Sequence, residues 1–249
     1  MTAIRIGSRG SKLAVWQAEH VKAELEVRFA GITVTIQKIK TTGDKILDVP
    51  LAKVGGKGLF VKEIEDALLR DEIDIAVHSM KDVPAVLPVG LCIGAITERE
   101  DPRDALLSRD GNGFLHLKAG ARIGTSSLRR ISQLLNQRPD LVIYPLRGNL
   151  DTRIKKLEAG EFDAIVLAAA GIRRLGWADR ITEYLPETIS LPAIGQGALC
   201  IECRENDIDV IGMLSVLDHA ETNICVRAER AFLKRLEGGC QVPIGAYAT

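Results

Sequence analysis

Residues 73–84, IDIAVHSMKDVP, decide how the rest of this chain is read. Ile73, Ile75 and Val77 alternate as in a short buried strand, and Pro84 removes a backbone donor and stops it. Between them stand His78, Ser79, Lys81 and Asp82, a polar cap at the strand's carboxyl end. Open α/β sheets bind ligands outside the carboxyl ends of their strands, so an aspartate beside an ammonium there is a candidate reaction centre. Taken alone, the same residues also fit a surface turn with an adjacent charge pair.

Upstream, AIRIGS at 3–8 alternates like a strand and turns into a helical run with Leu13, Trp16, Val21 and Leu25 on one stripe. A strand at 32–40 leads into 41–60, TTGDKILDVPLAKVGGKGLF, a long connection of the kind that forms lids and binding loops. Its GGKG is no P-loop, because Gly58 stands where that motif needs Ser or Thr and Leu51 where it needs Gly. A helix at 59–69 and strands at 73–77 and 91–97 complete this half.

EREDPRD at 98–104 reads either as a metal site or as a salt-bridged hinge, and the absence of His from it favours the hinge. Beyond it come a strand at 122–124, a helix from Ser126, a strand at 141–144, a helix from Asn149 and a strand at 164–167. This βαβα alternation predicts a second parallel-rich sheet covered by helices on both faces. LPAIGQGA at 191–198 then leads to a strand at 199–203 that returns to the first sheet, and two crossings make a hinge and a cleft. Residues 219–236 read as a helix with Ile224, Ala228, Ala231, Phe232 and Leu236 on one face, stopped by Gly238 and Gly239.

The chain of 249 residues, 46% hydrophobic, can bury real cores, and its 33 basic residues balance its 33 acidic ones. No global field recruits nucleic acid or an anionic membrane, so an anion site must come from local clustering. Aromatic residues at 4% argue against a base-stacking platform. Arg5, Arg9 and Lys12 interrupt any signal-peptide core, and the longest apolar run, 164–172, is too short for a bilayer. The expectation is a cytoplasmic monomer with no metal. Cys92, Cys200, Cys203, Cys225 and Cys240 form no disulfide framework, and Cys200 and Cys203 read as buried thiols in preference to a metal or redox pair.

Cations gather at the strand-to-helix edges. GTSSLRR at 124–130 offers Thr125, Ser126 and Ser127 with Arg129 and Arg130, and LRGNLDTR at 146–153 offers Arg147, the candidate N-cap Asn149, and Arg153. Arg forks hold carboxylates bidentately. Together with Arg9 and Lys81 they point to one polyanionic ligand in an interdomain cleft.

Eight stretches in order carry a family resemblance: SRGSKLA at 8–14, LAKVGGKGLFVKEIE at 51–65, DIAVHSMKDVP at 74–84, EREDPRDA at 98–105, IGTSSLRR at 123–130, LRGNLDTR at 146–153, LPAIGQGA at 191–198 and EGGCQVPIGAY at 237–247. Across nearly its whole length the chain resembles the porphobilinogen deaminases, also called hydroxymethylbilane synthases. The resemblance implies an α/β fold with two domains like those of type II periplasmic binding proteins, their sheets mixed but parallel-rich, around a cleft. It places 1–97 with 198–217 in the first domain, 103–191 in the second, 98–102 and 192–197 in the connectors, and 218–249 in a partial third, α+β domain.

It also implies a dipyrromethane primer on Cys240 as a thioether, to which four porphobilinogens are joined with loss of ammonia before water releases hydroxymethylbilane. Asp82 matches the catalytic carboxylate, suited to stabilise the azafulvenium-type cation and to move protons. With Asp82, Lys81, Thr125, Ser127, Arg129, Arg130 and Arg153 match cofactor contacts. Arg9, Ser11, Arg147, Arg153 and Arg174 match positions facing substrate carboxylates. Lys53, Lys57 and Phe60 lie in the stretch resembling a mobile lid. Family members continue past the Cys-bearing loop whereas this chain stops at Thr249, so the expectation is weakened stability or cofactor loading. The rival reading, a two-domain carboxylate or oxyanion receptor, accounts for the hinge and arginines but not for Cys240 or the Lys81–Asp82 pair.

Overall fold

The computed structural model describes residues 3–45, 59–236 and 242–249; Lys53, Lys57, Cys240 and the GGKG stretch lie outside the described residues. Ile4 and Ile6 anchor strand β1 (Ala3–Ser8), which passes into helix α1 (Lys12–Arg28) through Ser11. The Ser11 hydroxyl accepts the Ala14 amide at 3.3 Å and so caps the helix start. Next come β2 (Thr33–Lys38), α2 (Thr42–Lys45), α3 (Lys62–Leu69), β3 (Ile75–Ser79), a 3-10 turn (Met80–Asp82) and β4 (Leu91–Ile96).

After the first crossing the chain forms β5 (Asp104–Ser108), β6 (Arg122–Gly124), α4 (Leu128–Gln137), β7 (Val142–Tyr144), α5 (Leu150–Glu158), β8 (Ala164–Ala168), α6 (Ala169–Arg174) and β9 (Glu183–Leu185). It then returns as β10 (Leu199–Arg204), α7 (Ile208–Leu214) and α8 (Ala220–Arg235). Among the described residues no helix is long and apolar enough to cross a membrane.

The first sheet has the order β2-β1-β3-β10-β4 and the second β7-β6-β8-β5-β9. β1 runs parallel to β2 and β3, as β6 does to β7 and β8. Each sheet holds one antiparallel strand, fourth in order, and in both it is the strand reached by a crossing: β10 in the first, β5 in the second. Helices cover both faces. Ile4, Ile6, Val77 and Ile201 pack with Val21 of α1 and Val210 of α7, while Ile73 and Ala76 pack with Ile64 and Leu68 of α3.

The crossings touch. Glu100 donates its N–H to the Gly197 carbonyl at 3.2 Å. Gly197 has φ +96, and a Cβ there would lie 2.2 Å from the Glu100 oxygen, so only glycine lets the two segments approach this closely. At the start of β5, fully buried Asp104 joins them to the second sheet. Its carboxylate pairs with Arg129 at 2.8 Å and Arg130 at 2.7 Å, and accepts from Ser190 at 2.7 Å and Gln196 at 2.9 Å. Two further acidic residues of 98–104 pair with arginine, Asp101 with Arg103 and Glu100 with Arg173.

Two helix faces differ from the sequence reading. α1 buries Ala14, Gln17, Ala18, Val21 and Leu25, while Trp16 is exposed and stacks on His20. Gln17 can turn inward because its amide donates to Ser79 Oγ at 3.0 Å. α8 buries Thr222, Val226 and Glu229, leaving Ile224, Phe232 and Leu236 exposed. Its phase is set by Glu229, which accepts both ends of the Arg99 guanidinium at 2.8 and 2.9 Å and the Gly195 amide at 2.7 Å. Cys200 and Cys203 are buried on β10, where burial pushes both thiols up. Their three-residue spacing on a strand puts them on opposite faces, one beside Met80 and the other beside Ile201.

Under α3, His78 Nε2 lies 3.1 Å from Glu202 Oε2, and the Glu65 carboxyl is pushed up to about 7 by burial and by Glu202. Protonated Glu65 therefore favours the fold fully below its unfolded value, and that support is lost as pH rises through about 7. Glu65→Gln should remove this dependence: the Tm of the variant minus that of the wild type should become more positive by a few degrees between pH 5 and pH 8. A difference that stays constant with pH would count against it. Asp104→Asn should leave two buried guanidiniums uncompensated, lowering stability by about 3 kcal/mol or more in denaturant unfolding. A loss below about 0.5 kcal/mol, the scale of ordinary surface changes, would refute the anchoring role.

Candidate active site

A cleft of about 1900 Å3 opens where segments following β1, β3, β6, β7 and β8 converge. That is roughly twice the upper size of ordinary small-molecule pockets. The first sheet contributes Arg9, Ser11, Lys81 and Asp82, with Phe60 from the segment before α3. From the second come Thr125, Ser127, Arg129, Arg130, Arg147, Arg153 and Arg174. All the described residues proposed from the sequence therefore line one space.

β3 and its 3-10 turn present Lys81 and Asp82 together. Lys81 Nζ lies 3.4 Å from Gln196 Oε1, and burial lowers its ammonium to about 8 against the opposing pull of Asp82. Ser127 caps α4 by accepting the Arg130 amide at 3.5 Å, and Thr125 Oγ1 accepts the Ser127 amide at 3.3 Å. Asn149 holds the N-cap position of α5, but its side chain makes no capping bond. Arg153 donates to the Gly148 carbonyl at 2.8 Å; burial, then the neighbouring Arg130 and Arg147, bring its guanidinium down to about 10. Burial does the same to Arg174, which donates to the Gly197 carbonyl at 2.6 Å, and lowers Arg147.

Arg129 and Arg130 face inward. Arg129 donates to the Leu191 carbonyl at 2.5 Å as well as pairing with Asp104, while Arg130 donates to the Val166 carbonyl at 2.9 Å. Among the described residues, the buried Arg130 Nε has no hydrogen-bond partner. For Asp104, burial would raise the carboxyl, but the two guanidiniums outweigh it and hold it well below the usual range. Arg9 is ion-paired with Asp44 and sits over the Phe60 ring at 4.3 Å.

Asp44, Gln17, Gln196 and Arg230 line this cleft, and Asp104 lies behind it holding Arg129 and Arg130; all five escaped the sequence reading as site residues. Two had signals: Gln17 interrupts an apolar phase of α1, and Asp104 directly precedes the buried run ALL. Among the described residues no group of three or more His, Cys, Asp or Glu side chains could hold a metal ion.

Residues 4–212 match the family described as porphobilinogen deaminase, dipyromethane cofactor binding domain, and 223–249 match porphobilinogen deaminase, C-terminal domain. Curated relatives named porphobilinogen deaminase include one from Syntrophotalea carbinolica, 61% identical over 100% of this chain and 79% of its own length. Another, from Geobacter metallireducens, is 62% identical over 98% of this chain and 76% of its own length. Among solved structures, a putative methionine-binding lipoprotein from Bacillus subtilis has a TM-score of 0.53 at 14% identity, covering 89% of this chain and 92% of its own. The periplasmic VFT2 domain of BvgS from Bordetella pertussis has a TM-score of 0.50 at 15% identity, with 94% and 93% covered. These last two likenesses concern the fold alone and are those of type II periplasmic-binding-protein-like domains. By sequence over nearly its full length, this chain belongs to the porphobilinogen deaminase family.

Proposed function

We infer that Asp82 is the reacting carboxylate and that the basic walls of the cleft grip the acetate and propionate groups of cofactor and growing polypyrrole. The chain is a transferase of tetrapyrrole biosynthesis that condenses four porphobilinogens head to tail, releases ammonia and yields hydroxymethylbilane. The observation that carries the residue assignment is the meeting of Lys81 and Asp82 from the first sheet with Arg130 and Arg153 from the second in one cleft.

The residues present suit a dipyrromethane. Lys81 and Arg153 hold charges that burial disfavours, and a polycarboxylate in the cleft would favour both. Arg130, Arg153 and Lys81, with the Thr125 and Ser127 hydroxyls, would hold its carboxylates, and Arg129 supports Arg130 through Asp104. When bound, the cofactor supplies the pyrrole α-carbon to which the first porphobilinogen is joined; Cys240 is its proposed point of attachment.

Asp82 can accept pyrrole N–H groups, stabilise the positive charge left on the incoming porphobilinogen as ammonia departs, and carry protons between leaving amine and ring carbon. Lys81 beside it, with an ammonium near 8, can give or take a proton at neutral pH. Arg9, Ser11, Arg147, Arg153 and Arg174 are the proposed holders of substrate carboxylates, Arg9 pre-set by Asp44 and Phe60. Lys53, Lys57 and Phe60 are proposed to belong to a lid. The two sheets would move as domains 1–97 with 198–217 and 103–191 about the connectors 98–102 and 192–197, with 218–249 in a third domain. A cytoplasmic monomer is proposed, and the balanced charge supports its meeting neither nucleic acid nor an anionic membrane.

Asp82→Asn should abolish turnover while the thermal transition stays in place; near-normal rates would sink the assignment. Intact mass of the purified chain should exceed the sequence mass by a linked pair of pyrrole units, and Cys240→Ser should lack that excess. A retained excess in the variant would place the attachment elsewhere. Arg147→Ala should change the ladder of enzyme-bound intermediates seen by mass spectrometry, with an unchanged ladder counting against carboxylate clamping.

A further inference from the structure

Arg230, on α8, reaches back to the turn that carries Asp82. Its NH1 donates to the Val83 carbonyl at 3.2 Å and lies 3.7 Å from Met80 Sδ, and its NH2 donates to the Pro84 carbonyl at 2.7 Å. These are the two peptide carbonyls directly after Asp82. Residues 83–90 belong to no helix or strand, and among the described residues neither carbonyl has a backbone partner. On the other side, the Met80 amide is held by the Ala198 carbonyl at 3.0 Å, and the Val83 amide closes the turn on Met80 at 3.1 Å. The Asp82 turn is thus tied from upstream to Ala198, just before β10, and from downstream to one guanidinium.

Val226, one turn earlier on α8, packs with Met80 and Val83 in a single apolar cluster, so helix and turn meet across a dry contact. A peptide carbonyl taken from water needs a donor. A planar fork can serve two successive carbonyls at once, whereas an ammonium acts as a point charge. Glu229, the preceding residue, holds Arg99 on the first crossing and the Gly195 amide on the second. Two adjacent side chains of α8 therefore tie the hinge and the Asp82 turn to one helix, which leads on in sequence to Cys240.

We propose that Arg230 is a positioning residue for the condensation: by clamping the carbonyls of Val83 and Pro84 it holds the Asp82 carboxylate in register with the helix that precedes Cys240. The proposal rests on Asp82 being the reacting carboxylate. Misplacing a reacting group by about 1 Å can cost on the order of 100-fold in rate, while binding contacts elsewhere in the cleft stay intact. Loss of Arg230 should accordingly lower kcat and leave KM nearly unchanged.

The test uses the full chain carrying its cofactor, with Arg230→Lys, Arg230→Ala and Asp82→Asn compared to wild type. Intact mass should show the same cofactor increment in all four. kcat should fall by at least about 10-fold in Arg230→Ala and less in Arg230→Lys, with KM within about twofold. Millimolar guanidinium, and not sodium at equal ionic strength, should restore part of the rate to Arg230→Ala. Amide hydrogen exchange should speed up in 80–90 and not in the second sheet.

Should Arg230→Ala fail to fold, Arg230→Lys carries the same kcat and exchange readouts. Wild-type kcat in both Arg230 variants, beside an inactive Asp82→Asn, would overturn the positioning role alone. A raised KM with kcat kept would overturn it in favour of a direct substrate contact, and a missing cofactor increment in favour of a role in loading. Normal turnover in Asp82→Asn would instead refute the Asp82 reading on which the proposal rests.

Discussion

One buried carboxylate, Asp104, makes the basic cleft compatible with a folded protein. It stands at the first residue of β5, where the chain has just crossed from one sheet to the other, and it neutralises Arg129 and Arg130 at the start of α4. Two guanidiniums taken from water beside each other would repel and would lack their hydration. One carboxylate does not fully balance two cations. The remaining charge lies at the wall of the cleft, which Arg129 and Arg130 line. The same carboxylate also binds Ser190 and Gln196 on the second crossing, so the site's electrostatics and the path of the connectors depend on one side chain.

This coupling follows from the topology. Each sheet accepts as its fourth strand the segment that has just crossed, and the crossings run side by side with Gly197 pressed against Glu100. Residues at the carboxyl ends of the parallel strands of both sheets then line one cleft. A ligand gripped by both rows of cations is held by both sheets at once. α8 reinforces the same place, with Glu229 on both crossings and Arg230 on the Asp82 turn.

Most strands and helix starts were legible because they depend on local chemistry such as the alternation in IRI, but β5 and β9 escaped the reading. The gathering of Arg9, Lys81, Arg130 and Arg153 could be inferred from their shared place at strand-to-helix edges, and the resemblance placed the chemistry on Asp82. What could not be read were long-range polar partners. Asp104 and Arg130 lie 26 residues apart, and Arg99 and Glu229 lie 130 apart, with no periodicity linking them. Those pairs also explain the misjudged helix phases. An apolar stripe predicts the buried face only while polar residues on the other face lack partners inside, and Gln17 with Ser79 and Glu229 with Arg99 remove that condition.

The depressed cations show how such a site can be both costly and useful. Lys81 near 8 and Arg153 near 10 remain mostly protonated at neutral pH, but in surroundings that disfavour the charge. For Lys81 the folded-state pKa lies below the unfolded one, so its destabilising effect is fully present below about pH 8 and fades as pH rises toward the unfolded value. An incoming carboxylate would oppose this, because a nearby anion favours the protonated lysine that burial disfavours. Free energy withheld from folding thus becomes available to binding, and it is released only to a ligand that brings carboxylates into the cleft. A chain growing by one acetate and one propionate per ring meets that requirement at each addition, which is why a spacious cleft lined by arginines suits a polymer where a tight pocket would suit a monomer.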